Sequence, residues 1–258
     1  MSRKRGEPRA ASNYNLGITQ ACFEELTRKS PTHDKIWNSI RNKVFPPRIQ
    51  AFIWKVMHGG AYKCGKYWCN ILTCEERGLC HVCDRIEESM EHILTECPAT
   101  GQAEIWELVK ELWTLRGLPW TTPKFGTILG CSLAAYQSEE GNHKLTGTNC
   151  LYAILISESA HLIWRIWCKW KISDGTEPDK ILSGDTVRTM WFRMINRRLQ
   201  MEMLQTDKYR YGSKALKSTL VEKTWWGVLR NQELLNDDWL KGTGVLVGIG
   251  DWPPGRNW

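Results

Sequence analysis

Four residues constrain this chain more than any other feature. Cys80 and Cys83 are separated by two residues, His92 and Cys97 by four, and eight residues lie between the pairs. Two intervening residues let both thiolates of a pair point at one centre from a tight turn, and four let an imidazole and a third thiolate converge across about one helical turn. Three soft sulfurs and one imidazole favour a tetrahedral zinc ion. Because all four ligands come from the protein, no coordination position is left on which water could be activated, so the predicted single Zn2+ is structural. The competing reading is four unrelated residues in a chain with ten cysteines. Against it stands the ligand spacing of both half-motifs. Cys64, Cys69 and Cys74 recur at intervals of five, with His58 and His81 nearby, which leaves substitute ligands or a second ion open, although no second C-x2-C pair supports one.

With 258 residues, 42% of them hydrophobic, the chain can bury a genuine core. It has no uncharged apolar run long enough to span a bilayer; the most apolar stretch, 150 to 170, is interrupted by Glu158, His161, Arg165 and Lys169. The N-terminus carries Arg3, Lys4, Arg5 and Arg9 with no apolar segment behind them, unlike a secretory signal. An intracellular protein without a membrane partner is expected, nuclear or cytoplasmic being undecided. In a reducing compartment the cysteines read as metal ligands or buried thiols before disulfides.

The periodicity predicts a mainly α fold: a helical Cys3His zinc-binding module, a second helical segment and irregular termini. Residues 1–30 read as a flexible basic lead-in with a short helix near Ile18 to Leu26. The zinc module is placed at 31–118. There Thr32 suits an N-cap, and Ile36, Trp37, Ile40 and Val44 recur at helical spacing before Pro46 and Pro47. A second helix carries Ile49, Phe52, Ile53, Val56 and Met57 on one face and stops at Gly59 and Gly60. After the loop-rich ligand region, Ile105, Leu108, Val109, Leu112 and Leu115 mark an amphipathic helix. A helical C-terminal region is placed at 125–235, with long helices near 151–170 and 185–204, and a loose tail holding at most one short strand at 236–258.

The net charge of +7 is unevenly spread. Residues 35–74 contain Lys35, Arg41, Lys43, Arg48, Lys55, Lys63 and Lys66 and not one acid, whereas 75–111 carry ten acids against Arg77, Arg85 and Lys110. A second basic region runs from Arg188 to Lys223. Such stretches attract phosphate, or they are simply solvated helix faces. Arg41, Lys43, Arg48, Lys55, Lys63 and Lys66 are the candidate RNA or DNA contacts, with Trp68 as a base-stacking candidate because it lies beside Lys63 and Lys66. The acids around Cys80 to Cys97 make the knuckle itself a poor phosphate clamp.

Extended runs also match a known pattern. Lys35-Ile36-Trp37-Asn38-Ser39-Ile40, then 46 to 55 (PPRIQAFIWK), then Cys80-His81-Val82-Cys83 and 88 to 97 (ESMEHILTEC) together resemble the zinc-binding domain C-terminal to reverse transcriptases of non-LTR retrotransposons, often associated with a ribonuclease H domain. The runs 61 to 68 (AYKCGKYW) and 155 to 160 (LISESA) resemble fungal members, in which Cys64 and Cys69 look like variants within the pattern. The resemblance implies an accessory domain, detached from the catalytic domains that normally precede it. Two partners follow: nucleic acid, or the reverse transcriptase or ribonuclease H domain on which such a module docks.

No catalytic residue and no small-molecule substrate is expected. Polymerase chemistry needs paired aspartates on a hairpin to hold two metal ions, and the only Asp-Asp is Asp237-Asp238 in a polar tail. Asp174 follows helical rather than alternating spacing and reads as a helix-ending turn. Glu158 and His161 form half of a di-iron helix motif whose other half is missing.

Overall fold

The computed structural model describes residues 10–59, 62–138 and 143–248. Among these the chain is helical: α1 (Ala10–Thr27), α2 (His33–Ile40), α3 (Pro47–Met57), α4 (Lys66–Cys69), α5 (Met90–Thr95), α6 (Gln102–Thr114), α7 (Phe125–Leu129), α8 (Thr146–Cys168), α9 (Gly184–Gln205), α10 (Lys208–Tyr211) and α11 (Ser218–Trp225). No sheet forms among the described residues, where β pairing is limited to three isolated bridges. The expected mainly α class, with a Cys3His cluster in it, is what the chain adopts. The backbone divides into two compact units: one drawn from Met1–Ala103, Pro123–Leu133 and Ala160–Ile181, the other from Glu104–Thr122, Ala134–Ser159 and Leu182–Trp258.

In the first unit, Thr32 caps α2, its side chain accepting from the Lys35 amide, which satisfies one of the donors a helix start leaves orphaned. Pro47 occupies the first turn of α3, where its missing N–H costs nothing. The face carrying Ile49, Phe52, Ile53, Val56 and Met57 is buried. The helix ends at Gly59, whose φ of +48° suits glycine and where a Cβ would come within 2.7 Å of the Ala11 Cβ. The Asn15 amide donates to the carbonyls of Val56 and Met57 at 3.0 and 3.2 Å, closing that end. Asn15 belongs to α1, which begins at Ala10 and not near Ile18 as expected. Its buried positions include Ser12, Asn15 and Thr19 beside Leu16, Cys22 and Phe23, so a partly polar inner face hides the apolar period there.

In the second unit, α6 buries Ile105, Trp106, Leu108, Val109, Leu112 and Trp113. Residue Arg198 of α9 lies between two buried carboxylates, 3.3 Å from Glu158 and 2.7 Å from Glu202, and the Trp225 indole N–H donates to Glu202 at 2.7 Å. Glu158 therefore pairs inside the core, although the sequence places it on the polar stripe of α8. The tail is also tied down further than expected. Trp239, Val245 and Val247 are buried, Leu229 and Val247 form an antiparallel bridge, and the Arg230 amide donates to the Leu246 carbonyl at 2.8 Å. Residues 249–258 lie outside the described ones, as do residues 1–9 of the lead-in.

Candidate metal centre

The first ligand pair sits on a knuckle. Leu79 and Glu87 face each other in an antiparallel bridge; between them the Cys80 amide donates to the Ile86 carbonyl at 2.8 Å, the Arg85 amide to Cys80 at 3.1 Å and the Ile86 amide to Cys83 at 3.0 Å. Asp84 and Arg85 take positive φ angles of 44° and 60° to turn the chain, a conformation that side-chain-bearing residues adopt at a cost. The turn leaves the Cys80 and Cys83 thiols converging.

The second pair is supplied by α5. Ser89 caps it by accepting from the His92 amide at 3.1 Å, which fixes His92 in the first turn and ends the extended segment before it. The Cys97 amide donates back to the His92 carbonyl at 2.9 Å, and the Thr100 hydroxyl donates to the Cys97 carbonyl at 2.8 Å. The four-residue interval between His92 and Cys97 is thus closed by the end of the helix.

One ligand atom from each of Cys80, Cys83, His92 and Cys97 lies within 4.8 Å of the other three. Cys80, Cys97 and His92 are buried and Cys83 is partly so. The Sγ atoms of Cys80 and Cys97 are 3.7 Å apart, close to the ~3.8 Å that two sulfurs on one tetrahedral zinc would show with bonds of about 2.3 Å. His92 Nδ1 lies 3.1 Å from a carboxylate oxygen of Glu96, and its Nε2 is buried with no hydrogen-bond partner. An imidazole whose Nδ1–H is held by a carboxylate presents the lone pair of Nε2 to a metal. The donor set, the spacing and the orphaned nitrogen all fit a closed, four-coordinate ion.

Three sulfurs crowded together also perturb one another. The contact with Cys97 holds the Cys80 thiol down, to about 4, against an opposing effect of burial. The same contact pushes Cys97 up, and burial pushes Cys83 up. One thiolate is stabilised by its neighbour's proton, and a bound cation would take the place of that proton.

Two supports were not apparent in the sequence. Glu88 is fully buried beside the knuckle; its amide donates to the Gly78 carbonyl, its carboxylate accepts from the Trp167 indole at 2.9 Å, and Lys171 pairs with it at 2.8 Å. Burial pushes the Glu88 carboxyl up, opposed by Lys171 and Trp167. Trp170 packs directly against Cys80, Cys97 and Ala99, with Cys83 and Ile181 at the margin. The ligands' apolar wall therefore comes from a segment more than sixty residues further along the chain.

Among the described residues no other group of three or more ligand-type side chains converges. Cys64 is buried and Cys69 and Cys74 are half-buried, outside the cluster. The basic candidates Arg41, Lys43, Arg48, Lys55, Lys63 and Lys66 are all exposed. The Lys55 ammonium lies 5.6 Å from the Tyr62 ring centroid and that of Lys63 5.7 Å from Tyr67. Trp68 is half-buried and engaged: its indole N–H donates to the Lys63 carbonyl at 2.8 Å and the Arg77 guanidinium lies 5.3 Å over its ring. Asp174 ends a π-helical turn and pairs with Lys169, and Asp238 pairs with Lys241 in a 3-10 turn.

No described helix is long and apolar enough to cross a membrane. Comparison with curated proteins and with solved structures gives no match. Residues 18–106 match the model of a family described as zinc-binding in reverse transcriptase, a span that contains all four converging ligands and the basic helices before them. The likeness is to a zinc-binding domain and spans about a third of the chain.

Proposed function

We propose that the first unit is a non-catalytic zinc module, derived from a retrotransposon reverse transcriptase, in which one Zn2+ on Cys80, Cys83, His92 and Cys97 fixes the fold while the preceding basic helices contact RNA or DNA. The observation that carries this is the closed ligand set with its single orphaned nitrogen, adjoining an acid-free stretch from 35 to 74. An ion so enclosed contributes folding energy and leaves binding to the surface. Exposed Lys and Arg side chains bind phosphate by releasing counterions, so affinity should fall steeply with salt. Titrating labelled RNA and DNA, single-stranded and duplex, at several salt concentrations tests this. Binding that weakens with salt and is lost with chelator is expected; affinity that is flat with salt would reject the nucleic-acid role.

A second reading rests on a different surface. Val82 and Ile86 on the knuckle are exposed among acids that repel phosphate, and Ile71 and Leu72 shortly before it in the chain are exposed as well, Leu72 at 84%. Apolar side chains left in water in this way mark protein contacts. On this reading the knuckle docks on a reverse transcriptase or ribonuclease H domain, and the complex should survive nuclease treatment.

A further inference from the structure

We infer that Trp54, backed by His58 and Trp37, is the base-stacking platform of this module, and that its ligand is a single-stranded polynucleotide. The inference rests on the nucleic-acid reading above and names the surface that would carry it. Trp54 is 49% exposed, an unusual place for the largest apolar side chain. It is not loose, however. The His58 ring centroid lies 3.9 Å from that of Trp54 and 4.9 Å from that of Trp37, both pairs tilted, so rings from α2, α3 and the residue that caps α3 pack together. His58 Nδ1 is 2.8 Å from the Trp54 carbonyl, which fixes the middle ring. The indole is thus held against the His58 ring, and about half of it is open to water.

The helix explains why this surface faces outward. Ile49, Phe52, Ile53, Val56 and Met57 take the buried stripe of α3. Arg48, Ala51, Lys55 and His58, at intervals of three and four, must then share the opposite side, with Trp54 next to His58. Arg48 and Lys55 are both exposed there. Lys35, Arg41, Lys43 and Lys66 are exposed as well and form no ion pair with a described residue.

These charges choose the occupant. An aromatic face will stack on any base, because every base has a π-face, and flanking cations follow the backbone without reading sequence. A duplex hides those faces within its own stack. A protein partner is the weaker match: no acid between 35 and 74 offers a contact to its basic groups, so it would need a uniformly acidic patch. Trp68, the residue that sequence position favours, already has its ring under Arg77 and its N–H on a carbonyl.

The test compares the full-length protein with Trp54→Ala and Trp54→Phe, using labelled single-stranded RNA, single-stranded DNA, duplex DNA and an abasic oligonucleotide of the same length at fixed salt. Trp54→Ala should weaken single-strand binding about 5- to 100-fold, the range of one lost base stack. Trp54→Phe should restore part of it. The abasic strand should bind weakly and ignore both changes. Because Trp54 is exposed, circular dichroism should be unchanged. Unequal losses for RNA and DNA would say which strand the surface prefers. If Trp54→Ala binds single strands as the native protein does, or if the abasic strand binds as well as the normal one, the platform is rejected while salt-dependent binding still supports the parent reading. If no polynucleotide binds at any salt, or the Trp54 face instead mediates self-association, both fail.

Discussion

A buried imidazole with one nitrogen held by a carboxylate has one lone pair left to satisfy, and in this chain three sulfurs surround it. Glu96 keeps the His92 Nδ1–H in place from a half-exposed position, so removing its carboxylate leaves the ligands intact but frees the ring to turn. Glu96→Ala should therefore weaken zinc binding by about 10- to 100-fold, the usual cost of losing such an outer partner, while leaving a full equivalent of zinc at saturation. Competition with a zinc chelator measures it; unchanged affinity would mean that Glu96 is an ordinary surface acid. The convergence of Cys80, Cys83, His92 and Cys97 was readable because the spacing that metal coordination favours is local. Glu96 and Glu88 were not, since both sit in a run of acids where nothing local marks one as buried and the other as a histidine partner. Only the fold distinguishes them: Glu88 is enclosed with Trp167 and Lys171, and Glu96 is set one turn beyond His92.

The helices follow from the sequence where apolar spacing and end signals agree, and depart where burial is polar. Thr32 and Gly59 place the start of α2 and the end of α3 where the structure has them, and Pro47 opens α3, but α2 ends at Ile40, short of Val44 and of the Pro46–Pro47 step expected to stop it. By contrast, α1 carries buried Ser, Asn and Thr on its inner face, and Glu158 enters the core because Arg198 is there to meet it. Pairings of this kind span some forty residues, and no local pattern encodes them. The same holds for the wall of the metal centre. Trp170 comes from the π-helical turn 169 to 173 after α8, outside residues 18–106, and its N–H is anchored on the Glu177 carbonyl at 3.1 Å. Truncating it would leave a cavity against Cys80, Cys97 and Ala99 and admit water to the sulfurs. Trp170→Ala should cost about 3–5 kcal/mol, as large-to-small changes at fully buried aromatics do. It should also speed zinc loss to a chelator, read in denaturant unfolding and in metal-release kinetics. A variant that unfolds earlier but releases zinc at the native rate would separate packing from metal retention and refute the second part.

Along the whole chain, charge is the property that separates the two proposed partners. A net +7 spread evenly would give weak, general attraction to any polyanion. Here the positive groups of the first unit stand in a stretch of forty residues without an acid, and Glu75, Glu76, Asp84, Glu87, Glu88, Glu91 and Glu96 follow in the segment that carries the four converging side chains. On the proposed nucleic-acid role, this distribution would keep phosphate off the knuckle and direct it to α2, α3 and the turn between them. The consequence is quantitative. Each phosphate neutralised on a single strand contributes about −0.7 to the slope of log affinity against log salt. Arg41, Lys43 and Lys66 are exposed, pair with no described acid and lie away from the core, so changing all three to Gln should leave the fold and the zinc content intact. If each meets one phosphate, the slope should flatten by about 2 and the three variants should act additively. Binding at low salt should suffer most and binding at high salt least, since only the electrostatic part has been removed. A slope that stays at its native value while affinity falls would place these side chains outside the contact surface and shift the phosphate-binding role to the basic region between Arg188 and Lys223.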